Sequence, residues 1–116
     1  VTQIIGLPAA MDYLSANRPN LDLIKYLYDR LSENARIKII TSRDAALLTF
    51  YIDGMHILDF GALVGARGLC LRVGNMCASW IHKALGVAGT ARISVGATNT
   101  MDDAVRAADI IESVVK

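Results

Sequence analysis

Two short runs constrain this chain most. Ile37–Ile40 and Leu47–Ile52 are rich in β-branched and aromatic residues, and the polar stretch Thr41–Asp44 separates them. That spacing suits two antiparallel strands. Leu69–Val73 and Ala91–Val95 read as further strands. Helical patterns fall between and around them. Leu21, Ile24, Leu27, Tyr28 and Leu31 recur at helical spacing, with Asp22, Lys25, Asp29, Arg30 and Glu33 on the other face. His56–Ala66 reads as a helix stopped by Gly68, and Ala78–Leu85 as a short one. Thr100 caps the last helix, with Asp103 at the capping-box position, and Ala104, Val105, Ala108, Ile111 and Val115 form its buried stripe. Strands and helices mix without the steady alternation of a parallel fold. The expected class is α+β, a small antiparallel sheet of three or four strands covered by helices.

The amino-terminal segment Ile4–Leu14 reads as a buried or docking helix, followed by a turn cluster from Ser15 in which Asn20 is the expected N-cap of the next helix. Composition bears on this segment. The hydrophobic fraction is 53%, above the ordinary 45–50% or so. The excess fits apolar surface that meets another domain or subunit, or else a rich core. A chain of 116 residues without internal repeats is one domain. It can bury roughly two-thirds of its unfolded surface, so it needs neither disulfides nor metal to fold. The net charge of +1 leaves no electrostatic footprint for nucleic acid or a membrane surface. No apolar run approaches the 18 or so residues of a membrane span. With only two cysteines and no secretory pattern, a reducing, cytoplasmic setting is expected.

Chemistry centres on few residues. Cys70, between Leu69 and Leu71 in a predicted strand, is expected to be a small core residue. Cys77 lies in a loop between a strand and a helix, with Arg72 shortly upstream. Helix starts and nearby cations are the surroundings in which thiols become nucleophilic; from residue types alone, a reactive thiol and an inert loop cysteine both stand. Arg92 lies in an apolar strand with Ile93 and Val95, so it must find an anion or lie at the sheet edge. No metal site is expected, because Cys70, Cys77, His56 and His82 lack ligand spacing, and each histidine reads as structural or solvent-facing. Glycines 61, 65, 68 and 74 form neither a GxGxxG pattern nor a phosphate loop.

A family resemblance gathers these residues together. Leu48-Thr49-Phe50-Tyr51-Ile52-Asp53-Gly54-Met55-His56 resembles the strand-turn-helix entry of group II cysteine desulfurases and selenocysteine lyases, in the class V aminotransferase superfamily of pyridoxal-phosphate enzymes of fold type I. Asp59 and Arg67-Gly68 fall where that family has an aspartate and a helix-ending Arg-Gly. Arg72-Val73-Gly74-Asn75-Met76-Cys77-Ala78 is similar to its Arg-x-Gly-x-x-Cys-Ala signature. Leu85-Gly86-Val87, Thr90-Ala91-Arg92-Ile93-Ser94 and Asn99-Thr100 follow in the family's order, and Ile4–Ala10 resembles the helix after its cofactor-lysine region. Two positions depart: the paired histidines before the cysteine are Asn75 and Met76, and the aromatic residue before Asn-Thr is Thr98.

The resemblance implies that residues 1–116 are the C-terminal small domain of a cysteine desulfurase. Cys77 would be the nucleophile that takes sulfur from L-cysteine or L-selenocysteine's counterpart atom and leaves alanine. Arg92 would bind the substrate α-carboxylate, with Arg72 in support. Pyridoxal 5′-phosphate, the electron sink, belongs to a large domain that this chain lacks, so no cofactor-binding residue is assigned here and the chain alone is expected to be inactive. The full-length enzyme is expected to be a cytoplasmic homodimer that passes persulfide sulfur to an acceptor protein, as in iron–sulfur cluster assembly. The competing expectations are an aminotransferase or selenocysteine lyase domain, or a binding or scaffold domain that kept the fold without the chemistry.

Overall fold

The computed structural model describes Val1–Lys116 and runs α1 (Thr2–Ala16), α2 (Asp22–Ser32), β1 (Ile37–Ile39), β2 (Leu47–Ile52), α3 (Ile57–Gly65), β3 (Arg72–Gly74), α4 (Ser79–Leu85), β4 (Thr90–Ser94) and α5 (Met101–Val114). The sheet order is β1-β2-β4-β3, with every neighbouring pair antiparallel. This is the α+β arrangement the sequence predicts. No helix is long and apolar enough to cross a membrane.

Alternation sets the layers. Leu48, Phe50 and Ile52 of β2 are buried with Ala91 and Ile93 of β4 on one face of the sheet. There they join Leu23, Ile24, Leu27 and Leu31 of α2, Phe60 and Val64 of α3, and Ala104, Ala108 and Ile111 of α5 in one core. The Phe50 and Phe60 rings meet edge-on with centroids 5.8 Å apart, a geometry worth about 0.5–1.5 kcal/mol beyond the area it buries. On α5, Val105 is only half-buried and Ala107 lies in the core, which corrects the expected stripe by one position's rotation.

Local signals mostly act as the sequence indicates, with shifted ends. The N-cap of α2 is Leu21 and not the expected Asn20, whose side chain instead accepts from the Asp22 N–H at 3.0 Å from one residue further out. Thr100 and Asp103 form a reciprocal capping box at α5. The Thr100 amide and hydroxyl hold the Asp103 carboxyl below its ordinary range. A hydrogen bond from Arg43 does the same for Asp29, at 2.6 Å to each carboxylate oxygen. Both carboxyls therefore stabilise the fold at neutral pH and lose that contribution as acid titrates them below the usual carboxylate range. Arg30 clamps α2 to α5 through Glu112 and Asp109.

After α3, Gly68 adopts φ 84, its N–H bonds to Gly65 O, and the Leu69 N–H bonds back to Val64 O at 3.0 Å. This Schellman closure satisfies the helix's last carbonyls and uses the amide of Leu69, so β3 is confined to Arg72–Gly74 rather than beginning at Leu69. Helix α3 lies so close to β3 that a Cβ on Gly61 would stand 2.6 Å from Val73 Cγ2. A β-branched valine has little room to turn away. Gly61→Ala is therefore expected to destabilise the fold by about 1–3 kcal/mol, measured by denaturant unfolding; unchanged stability would mean that the helix lifts off without cost.

Helix α1 stands apart from this core. None of its residues is buried, and Ile4, Ile5, Leu7, Met11 and Leu14 are exposed. Of the two expected roles, core burial is excluded. Its apolar residues surround the helix instead of forming a stripe, the pattern of a helix covered on several sides, and no residue of this chain covers them.

Candidate active site

The face of the sheet opposite the core carries the candidate chemistry. Strand alternation turns Ala91 and Ile93 inward, and Thr90, Arg92 and Ser94 the other way. Arg72 of β3 is the direct cross-strand partner of Arg92. Opposite residues in an antiparallel pair point to the same face, so both arginine side chains leave the open face and line one depression. The expectation that Arg92 would lie at a sheet edge unless it met an anion is resolved unusually. Strand β4 is interior, between β2 and β3, and neither arginine takes part in an ion pair of this chain. Exposure to water on the open face replaces the edge position. Like charges directly opposite destabilise a sheet, and an external anion would relieve that cost.

Arg72, Arg92 and Ser94 line a depression of about 450 Å³ with Leu69, Cys70, Leu71 and Ile93. Cys70 is exposed here, not part of the core. The apolar neighbours Leu69 and Leu71 gave the misleading signal. Leu69 and Leu71 are partly buried against the core, yet Cys70 between them, in the stretch just before β3, is exposed and lines the depression with Arg72 and Arg92. Parity with Arg92 along β4 was the signal in the sequence that could have found Ser94.

Cys77 is also exposed and lies in the turn after β3. Met76 and Cys77 both have left-handed backbones, at φ 53 and φ 59. Non-glycine residues held there cost on the order of 1–3 kcal/mol each and cluster at functional sites. The turn closes through Ala78 N–H to Asn75 O at 3.0 Å and Asn75 Nδ2 to Ser79 Oγ at 3.1 Å. The chain enters β4 through Gly89, where a Cβ would lie 3.0 Å from the Gly74 carbonyl carbon, so the end of β3 and the start of β4 meet backbone to backbone. Cys77 is not among the residues lining the arginine depression.

The two histidines serve local structure. His56 caps α3, its Nδ1 accepting from the Leu58 N–H at 3.4 Å. His82 is buried and connects α4 to Thr90, which shares its face of the sheet with Arg92. Helix α4 and the turn before it therefore leave the sheet on the arginine side. A second depression, of about 360 Å³, is bounded by Asp53, His56 and the Gly86–Gly89 turn, without a cysteine or an arginine.

A family model for class-V aminotransferases matches residues 1–106, and this chain belongs to that family. Within it, similar proteins share a more particular description. A probable cysteine desulfurase of Pseudomonas putida is 30% identical over 118 residues, which is 97% of this chain and 29% of that protein. The cysteine desulfurase CsdA of Escherichia coli is 32% identical over 109 residues, 89% of this chain and 27% of the relative. A crystal structure of that enzyme, described as an S-sulfonic acid form, superimposes with a TM-score of 0.84 at 28% identity, covering 95% of this chain and 29% of the other. An apo cysteine desulfurase from Thermococcus onnurineus gives a TM-score of 0.86 at 26% identity, with 96% and 30% covered. The chain thus spans less than a third of the length of these relatives.

Proposed function

We propose that this chain is the C-terminal small domain of a cysteine desulfurase, in which Cys77 accepts sulfur and Arg92, supported by Arg72, holds the α-carboxylate of L-cysteine. One observation carries the reading: Arg72 and Arg92 are direct partners on an open sheet face, with no carboxylate of this chain paired to either. A substrate carboxylate supplies the missing anion, and a guanidinium fork grips it with two parallel hydrogen bonds. The exposed thiol in a left-handed turn beyond the same strand supports the second role. Overall, the Cys77 thiol and L-cysteine become a Cys77 persulfide and L-alanine. The substrate's carbon–sulfur bond breaks, a sulfur–sulfur bond forms at Cys77 Sγ, and a proton ends on the product's carbon. Transamination needs no thiol, so the Cys77 turn favours sulfur transfer over it.

The family implies pyridoxal phosphate in the full-length enzyme. Residues of this chain do not fit a site for it. Covalent attachment takes a lysine; of the four, Lys25, Lys38, Lys83 and Lys116, none lines the arginine depression or the one beside Asp53 and His56. The cofactor belongs to the remainder of the enzyme, and with it the homodimer, the cytoplasmic setting and the onward transfer of sulfur to an acceptor protein.

The test combines this chain with a separately produced cofactor-binding region and L-cysteine. Alanine should form, and the Cys77 peptide should gain the mass of one sulfur atom. Alanine without that modification would remove Cys77 from the reaction. No alanine and no pyridoxal absorbance would instead favour a binding domain that kept only the fold.

A further inference from the structure

His82 is a buried side chain to which the proposed sulfur transfer gives no part. It is 6% exposed and is the only buried residue of α4. Trp80, Ile81 and Leu85 of the same helix are exposed at 75%, 48% and 43%. No apolar side chain of α4 is buried, and His82 is the residue through which the helix reaches the interior. Its Nδ1 lies 2.8 Å from Ala78 O and its Nε2 3.2 Å from Thr90 Oγ1. A carbonyl oxygen only accepts, so in the neutral ring Nδ1–H donates to Ala78 and Nε2 accepts from the Thr90 hydroxyl.

These two partners flank the proposed chemistry. Ala78 directly follows Cys77, and Thr90 precedes Arg92 on the same face of β4. The Ala78 carbonyl is held twice, by His82 Nδ1–H and by the His82 backbone N–H at 3.3 Å. Two successive left-handed residues persist only where their surroundings over-determine them. We propose that His82 is a positioning residue that fixes the Cys77 turn relative to the strand bearing Arg92. Its importance for sulfur transfer rests on the roles proposed above for Cys77 and Arg92; the clamp itself does not. His82 touches neither substrate nor reacting sulfur.

The test uses this chain and reads the turn directly. Amide hydrogen exchange is followed at Ala78, whose N–H bonds to Asn75 O, and at the core positions Phe50 and Ile111, with Cα and Cβ chemical shifts of Cys77 reporting its backbone. His82→Leu and Thr90→Val should each speed exchange at Ala78 by roughly tenfold, the scale of one lost hydrogen bond. Both should move the Cys77 shifts away from left-handed values, with core exchange much less affected. His82→Asn, which offers an N–H near the position of Nδ1, should restore the Ala78 bond and recover much of both signals. Unchanged Ala78 exchange and Cys77 shifts would overturn the proposal. So would equal acceleration of Ala78, Phe50 and Ile111, which marks a residue that only fills space. If His82→Leu fails to fold, the near-isosteric Thr90→Val decides by the same criteria. These readouts need no catalysis, so failure of Cys77 as a sulfur acceptor would leave their outcome intact.

Discussion

Replacing Cys77 with serine in the assembled enzyme is expected to lower alanine formation from L-cysteine by on the order of 10³-fold. A hydroxyl cannot serve as the sulfur acceptor, whereas the substrate carboxylate still finds Arg92. The loss should therefore fall on kcat, with KM nearly unchanged. Cys77 is exposed and serine is close in size, so the melting temperature should hold. Reductant must be kept low and equal between variants, because added thiols can take sulfur in place of an acceptor cysteine. Undiminished activity under those conditions would defeat the sulfur-transfer reading, leaving a class-V enzyme of another reaction or a domain without one.

Arg92→Ala should act on the other half of the same event. Losing a bidentate, charge-assisted grip costs about 2–4 kcal/mol, or roughly 30- to 1000-fold in kcat/KM, carried largely by KM. Arg92→Lys should recover only part, because an ammonium keeps the charge but not the fork. The stability readout has an opposite sign from most arginine losses. Arg92 faces Arg72 directly and has no ion pair in this chain. Its removal relieves repulsion, so the unfolding free energy of Arg92→Ala should be unchanged or higher. A clear drop in stability with an unaltered KM would make the arginine structural and empty the depression of its proposed ligand.

The contrast between the two cysteines shows how far residue patterns reach. For Cys77, Gly74 before it and the helical run after it marked a loop. The left-handed φ of Met76 and Cys77 had no mark, since neither is a residue that seeks that region. For Cys70, apolar neighbours suggested burial, but the stretch between the α3 closure and β3 leaves it exposed. His82 read as structural or solvent-facing, and its burial and its bonds to Ala78 and to Thr90 at the start of β4 emerge only when α4 folds back on that strand.

By itself the sequence determined the element order, the antiparallel character of the sheet, the cap at Thr100, and the residue types available for chemistry. These depend on neighbours a few positions apart, through periodicity, turn residues and local hydrogen bonds. Only the tertiary structure decided that Arg72 faces Arg92, that β4 is interior, and that Cys70 shares their open face. Strand register joins residues distant in sequence, and a shift of a single residue would exchange the buried and open faces. The composition left the apolar excess divided between core and contact surface, and the fold places the apolar residues of α1 outside the core, which a helix without an apolar stripe could not announce.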